Sequence, residues 1–291
     1  MPDSLVGHST IDPAESGRER GRLELRFAVG VDGSTHIASQ FASYPFHLCR
    51  PFRFDGDPPG MATLYLQSCS GGIYEGDRLS VQIEAPAHVH AHVTTQAASI
   101  ARSMPQAGAR CTAALRAAAG SLVEYLPDPV ILLPGARLDT SLLIRVEGGA
   151  RLIAAEAFLL HDPLGLGRPF SSLSSLLQVE ESGCDRVWFR DCLRAEGEDW
   201  TRLNPGVAAG ATGMATVVVL DSHAPALVIR LRSAIDAIAG IWGGASALPN
   251  AKGAICRFLA SDGRALRAGV NAAWHATRLH WTGTSPRDRR K

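Results

Sequence analysis

No run of apolar residues in this sequence approaches the roughly 18 to 20 needed to span a bilayer, and no basic segment leads into an apolar stretch near its start. Charge of either sign is not in excess: Lys and Arg total 29 against 28 for Asp and Glu, a net charge of +1. A chain so nearly neutral has no bulk field to hold nucleic acid or an anionic membrane, so neither is expected as a partner. Without an export signal, the expected location is cytoplasmic. The six cysteines (Cys49, Cys69, Cys111, Cys184, Cys192 and Cys256) are scattered, with no Cys-x-x-Cys pair, and read as reduced, mostly buried thiols rather than a zinc knuckle or disulfide framework.

The common catalytic engines are absent as well. There is no G-x-S-x-G elbow, no HExxH and no P-loop. Gly165-Leu166-Gly167 lacks the third glycine, the following helix and the downstream acid of a dinucleotide site. Adjacent His161 and Asp162 would point to opposite faces of a strand, and Pro163 follows them, so the pair reads as a turn opener. The enzyme alternative is a β-rich hydrolase using His161 and Asp162 as base and acid; a generic protein-interaction module is the other.

What the sequence does contain is strand pattern. At 46% apolar over 291 residues it can bury a sizeable core. Leu23, Leu25, Phe27 and Val29 alternate with Arg22, Glu24, Arg26 and Ala28, and Val31-Asp32-Gly33-Ser34 turns the chain into a return strand over His36 to Ala42. Leu79, Val81 and Ile83 repeat the pattern, as do Leu142, Ile144 and Val146; Arg151 to Leu160 and Ala215 to Leu220 are longer apolar runs. Val187, Phe189, Asp191 and Leu193 alternate with one carboxylate among them, so Asp191 is paired or the pattern shifts there. No repeat of fixed period is visible.

Helical signals are confined to the last quarter. Ala234 to Trp242, stopped by Gly243-Gly244, predicts one helix. Ser261 or Asp262 caps a second, in which Leu266, Val270, Ala273, Trp274 and Thr277 fall at helical spacing. The expected fold class is mainly β, a large mixed β-sandwich or β-helix-like body with a small C-terminal helical part. Residues 1–21 read as a disordered tail, 22–283 as a single β-rich domain and 284–291 as a basic tail.

Two groups of polar residues stand out in the strands. His88, His90 and His92 would share one face of a strand, about 7 Å apart per step, with Val89, Ala91 and Val93 toward the core. Neighbours on one strand rarely converge on a tetrahedral ion alone, so the expectation is a solvated polar face or, at most, transient borderline-metal binding, imidazole suiting nickel as well as zinc. Glu124, Glu156 and Asp191, set in apolar strands, either pair with buried cations or line a wet internal passage.

A resemblance joins these observations. Gly71-Gly72-Ile73-Tyr74-Glu75-Gly76-Asp77-Arg78-Leu79, Thr94-Thr95-Gln96-Ala97-Ala98, Glu124-Tyr125-Leu126-Pro127-Asp128-Pro129-Val130-Ile131 and Pro134-Gly135-Ala136-Arg137 resemble the ordered signature of the urease accessory protein UreD family, also called UreH. The likeness spans about Leu23 to Trp281; Glu156-Ala157-Phe158 and the Gly165 to Phe170 loop continue it. It implies a non-enzymatic scaffold that docks on the urease apoprotein subunits and joins UreF and the GTPase UreG, so that nickel reaches the urease active site. It implies no tightly bound cofactor, only transient nickel, and a mostly β fold. Gly71, Gly72, Gly76, Asp77, Arg78, Thr94, Thr95 and Gln96 are the motif positions it offers for interaction. A chain built to be covered by partners is also expected to expose apolar surface and aggregate alone.

Overall fold

The alternation at the start of the chain folds as strand β1 (Gly21–Val29), which buries Leu23, Leu25 and Phe27. A computed structural model describes residues 21–184, 186–201, 206–221 and 224–287. The tails expected at 1–21 and 284–291 therefore fall largely outside the described residues. After β1 come β2 (Thr35–Ala42), β3 (Phe46–Leu48), β4 (Ala62–Ser68), β5 (Arg78–Ala85), β6 (His90–Thr95), β7 (Ser99–Ala101), β8 (Ala109–Ala117), β9 (Leu122–Tyr125) and β10 (Val130–Leu132). Next are β11 (Arg137–Val146), β12 (Arg151–Leu160), β13 (Ser172–Glu181), β14 (Val187–Glu196) and β15 (Gly213–Leu220), then β16 (Ile241–Ala247) and β17 (Gly253–Ala260). Helices α1 (Gly197–Thr201), α2 (Ala224–Asp236) and α3 (Gly263–Thr282) complete the order.

These strands form a 7-stranded sheet, β14-β13-β11-β8-β5-β1-β2, facing a 10-stranded sheet with the path β16-β17-β15-β12-β9-β6-β4-β3, to which β7 and β10 add beside β12. The chain shuttles between them, from β4 to β5, β6 to β8, β9 to β11 and β12 to β13, and each new strand lies parallel to its predecessor in the same sheet. This is a solenoid, and it is a repeat that the sequence hides. Val81, Ala113, Leu142 and Leu177 stack in register on successive coils, but the coils differ in length, so no fixed period appears.

The main core lies between the sheets and includes Leu23, Phe27, Leu64, Ile83, Val93, Leu115, Ile144, Leu152 and Val218. A second apolar layer forms where α2 and α3 cover the outer face of the larger sheet, with Leu227, Leu231, Leu266 and Trp274 against Ile153, Val217 and Phe258. α3 follows its prediction: Asp262 caps it by accepting from the Ala265 N–H at 2.8 Å, and Leu266, Ala273, Trp274 and Thr277 are buried. The other helix expectation is corrected. The helix is α2, ending at Asp236, and Ile241-Trp242-Gly243-Gly244 is edge strand β16, set off by Gly240 at φ +77°. The apolar spacing Leu227, Leu231, Ile235 was the helix face, whereas Gly243 packs against the β17 backbone so closely that a Cβ would stand 2.3 Å from the Arg257 carbonyl oxygen.

Candidate functional site

The long loops that follow the strands of the larger sheet stack along one side of the solenoid, and the motif residues lie on them or at their edges. Gly72, at φ +145°, would place a Cβ 2.4 Å from the Ile100 carbonyl oxygen, a close approach only glycine permits. Gly76 turns the same loop at φ +72°, and the Asp77 carboxylate holds it by accepting from the Tyr74 N–H at 2.8 Å. Arg78 opens β5. On the next coils the Thr94 hydroxyl donates to the Leu126 carbonyl at 2.6 Å, and the Thr95 hydroxyl accepts from the Asp128 N–H at 2.8 Å. Arg102 donates to the Gly71 carbonyl at 2.7 Å. The motif chemistry thus stitches coil to coil.

Inside those stitches lies a cavity of about 410 Å³ between the two sheets. Gly71, Gly72, Thr95 and Gln96 line it where the larger sheet breaks between β6 and β7 and between β9 and β10; Gly76, Asp77, Arg78 and Thr94 do not. Its inner wall carries Cys111, Thr112, Tyr125, Thr140 and Glu156. Burial pushes the Cys111 thiol up to about 12, with the Asp77 carboxylate adding to the effect, and likewise raises the Tyr125 phenol. Both are neutral at physiological pH.

Glu156 is the exception. Its side chain spans from β12 to the opposite sheet, accepting from Thr140 at 3.3 Å and Ser175 at 3.1 Å. Burial pushes its carboxyl up to about 7; the two hydroxyls pull it down, and the Asp191 carboxylate pushes it further up. Among the described residues no arginine, lysine or histidine forms an ion pair with Glu156. Its carboxyl lines the cavity.

The three carboxylates singled out in the sequence therefore divide. Glu124 is paired, beneath α3 on the outer face of the larger sheet: Oε1 accepts from Arg278 Nε at 2.6 Å, while Oε2 accepts from Arg278 at 2.6 Å, His92 Nδ1 at 2.7 Å and Trp274 Nε1 at 2.8 Å. Burial would raise its pKa, but the donated bonds and charges of His92 and Arg278 outweigh that and hold it down at about 2. Asp191 is paired with Arg257 near the solvent edge. Glu156 alone lines the cavity.

The histidine row also resolves differently from expectation. Val89, Ala91 and Val93 do face the core, but His88 lies in a turn at φ +63°, before β6 begins. His92 is buried against Glu124 rather than solvated, and His90 approaches the Pro59 carbonyl at 3.3 Å. The reason is α3, whose apolar face covers the strand that would otherwise look outward. Among the described residues no group of three or more His, Cys, Asp or Glu could hold a metal ion. His161 and Asp162 do open a turn: Asp162 accepts from the N–H groups of Leu164, Leu166 and Arg168, and the Arg168 guanidinium beside it depresses its pKa. The thiols of the described residues are free, but Cys69, Cys184 and Cys192 are exposed, Cys49 and Cys111 are half-buried and only Cys256 is fully buried, which corrects the expectation of mostly buried thiols.

Residues the sequence reading missed are Arg278, Cys111, Thr140 and Arg257. A signal existed for the first: Arg278 falls one residue after Thr277 on the apolar face of α3, and a buried guanidinium demands a carboxylate. The others needed the register of the coils.

Comparison with known proteins points to one family. A family model described as UreD urease accessory protein matches residues 19–291. The chain is 37% identical to urease accessory protein UreD 1 of Pseudomonas syringae pv. tomato over 290 residues, 99% of this chain and 100% of the relative. It is 39% identical to urease accessory protein UreD 1 of Methylorubrum extorquens over 285 residues, 96% of this chain and 94% of that protein. A third, urease accessory protein UreD 1 of a Bradyrhizobium species, is 35% identical over 259 residues, covering 89% and 91%. On a match this complete, the chain belongs to the UreD urease accessory protein family.

Proposed function

We propose that this chain is a non-catalytic scaffold for the maturation of urease, acting with UreF, UreG and the urease apoprotein subunits in the cytoplasm, and that nickel on its way to the apo-enzyme passes through the Glu156 cavity. Nickel insertion is the role associated with the family. The observation that carries the cavity reading is Glu156 itself: a carboxyl that lines the cavity with no cationic partner among the described residues, its pKa pushed up to about 7 chiefly by desolvation. Loss of its proton gives one carboxylate, flanked by the Thr140 and Ser175 hydroxyls, that can take a divalent cation from water and return it.

Such a site suits an escort. Oxygen donors suit nickel less well than imidazole or thiolate does, so a single carboxylate holds the ion without trapping it. Cys111 stays protonated at neutral pH, and a neutral thiol is a poor metal ligand. The buried histidine His92 is already committed to Glu124 on the opposite face of the sheet.

The test is urease activation in cells expressing the urease subunits and the other accessory proteins, with and without this chain, reading nickel content and urea hydrolysis. Loss of both signals at unchanged amounts of apo-urease is the expected result. Full nickel loading without the chain would overturn the reading and favour a generic interaction module.

A further inference from the structure

Strand β16 stands at one end of the larger sheet and pairs with β17 on one side. Two bonds fix which way its backbone faces: the Ser261 N–H donates to the Gly240 carbonyl and the Leu248 N–H to the Gly253 carbonyl, each at 2.8 Å. Both pairs continue the β16–β17 register. Hydrogen-bonded pairs alternate along an antiparallel ladder, so Trp242, Gly244 and Ser246 turn their N–H and carbonyl groups to β17, while Ile241, Gly243, Ala245 and Ala247 turn theirs outward. The Ala245 carbonyl accepts from Arg232 Nε of α2 at 2.7 Å. Among the described residues, the outward groups of Ile241, Gly243 and Ala247 meet no partner. Free edges are usually blunted by charge or proline, and β14, an end strand of the 7-stranded sheet, carries Arg190, Asp191, Arg194 and Glu196. The β16 sequence, IWGGASA, has no charged residue and no proline. Its two glycines are exposed, and a Cβ at Gly244 would meet nothing within 4 Å. Ile241 packs into the layer beneath the helices, so Trp242 faces the opposite side, beside its partner Leu259, and is 54% exposed.

We propose that β16 is a docking edge for an extended segment of a partner protein, which adds to the larger sheet as a further strand, covers Trp242 with an apolar side chain and brings a carboxylate to Arg232. An extended chain is the occupant that these groups select, because a strand presents N–H and carbonyl groups at the two-residue spacing of Ile241, Gly243, Ala245 and Ala247. Arg232 sets the charge of that chain. Its Nε is held by the Ala245 carbonyl, and its terminal nitrogens carry no bond among the described residues. A carboxylate on the helix-facing side of the added strand would meet that guanidinium already oriented. The same cation disfavours a second copy of this chain, since two copies paired edge to edge would set their Arg232 side chains along one seam, like charge beside like. The inference goes beyond the scaffold reading by naming the surface, and rests on that reading for the proteins used to test it.

The test co-expresses the full chain with UreF, UreG and the urease subunits, each in turn, and measures how much of each is recovered with it. Ala247→Pro removes an outward N–H and sets a ring in the way of an added strand while leaving the β17 pairing intact; Ala247→Val keeps the N–H; Arg232→Glu reverses the charge. Soluble yield and urea midpoint are followed for each variant, so that a folding failure is seen directly. Ala247→Pro and Arg232→Glu should each lower recovery of the partner that docks there by about tenfold, and Ala247→Val should match wild type. In the wild-type complex the Gly243 and Ala247 amides should exchange hydrogen about tenfold more slowly than in the free chain. Undiminished recovery with Ala247→Pro or Arg232→Glu, equal losses with the Pro and Val variants, or unprotected amides overturn the docking edge and leave the scaffold reading standing. A wild-type chain that recovers none of these proteins removes both. A dimer of the chain alone that Ala247→Pro dissociates gives the edge to a second copy and likewise overturns the proposal.

Discussion

Glu124, wholly buried, and Glu156, half-buried, lie on neighbouring strands, and their environments drive their chemistry apart. Glu124 accepts from every donor around it and is ionised down to about pH 2. Its folded-state pKa lies below the unfolded value, so the stability it contributes is present above about pH 4.5 and is lost as pH falls toward 2. Replacing it with Gln leaves Arg278, wholly buried, short of its bidentate partner; urea unfolding at pH 7 should show a loss of about 3 to 5 kcal/mol. Glu156 has the opposite sign. The folded chain keeps that proton up to about pH 7 and the unfolded chain releases it near 4.5, so Glu156 costs stability progressively as pH rises through that window. Glu156→Gln should gain about 3 kcal/mol over wild type between pH 4 and pH 8 in the same measurement. Both carboxylates stood out in the sequence as charges in apolar strands. Which one was paired depended on the face each occupies, and that was set by α3 and by Thr140 and Ser175, far away in the chain.

At the level of the element, α3 was legible because a local cap and a local spacing specify it. Asp262 satisfies the first-turn N–H of Ala265, and Gly283, at φ +71°, ends the helix by donating to the Leu279 carbonyl. Asp262→Ala should cost about 1 kcal/mol, measured as a lowered urea midpoint with unchanged slope. Gly269 fixes how closely α3 can lie on the sheet, since a Cβ there would stand 2.5 Å from Ile241 and 2.7 Å from Phe258. The β16 segment misread because its Ile-Trp start continues an apolar run, and only pairing with β17 decides that it is extended. The histidine strand misread for a related reason: alternation correctly set Val89, Ala91 and Val93 inward, but outward on one sheet meant under a helix for His92, and His88 had already left the strand.

Across the whole molecule, the mainly β, β-helix-like body with a helical cap was legible from alternation, while the register of its coils was not. Its coils are specified by long-range register, Val81 over Ala113 over Leu142 over Leu177, and loops of different lengths erase the period. The motifs that carry the family resemblance turn out to include places where one coil is tied to the next, at Gly72, Thr94 and Thr95. Large apolar side chains also remain on the surface, among them Leu164 at 66% and Leu166 at 70% exposure on the loop braced by Asp162, as expected of a chain that works in a complex. The most direct measurement of the central claim is nickel bound per urease after maturation with Glu156→Gln in place of wild type, at equal recovery of this chain with its partners. A loss of at least tenfold in nickel loading at limiting nickel, with urea hydrolysis falling in proportion, is the predicted result. Loading indistinguishable from wild type would contradict it.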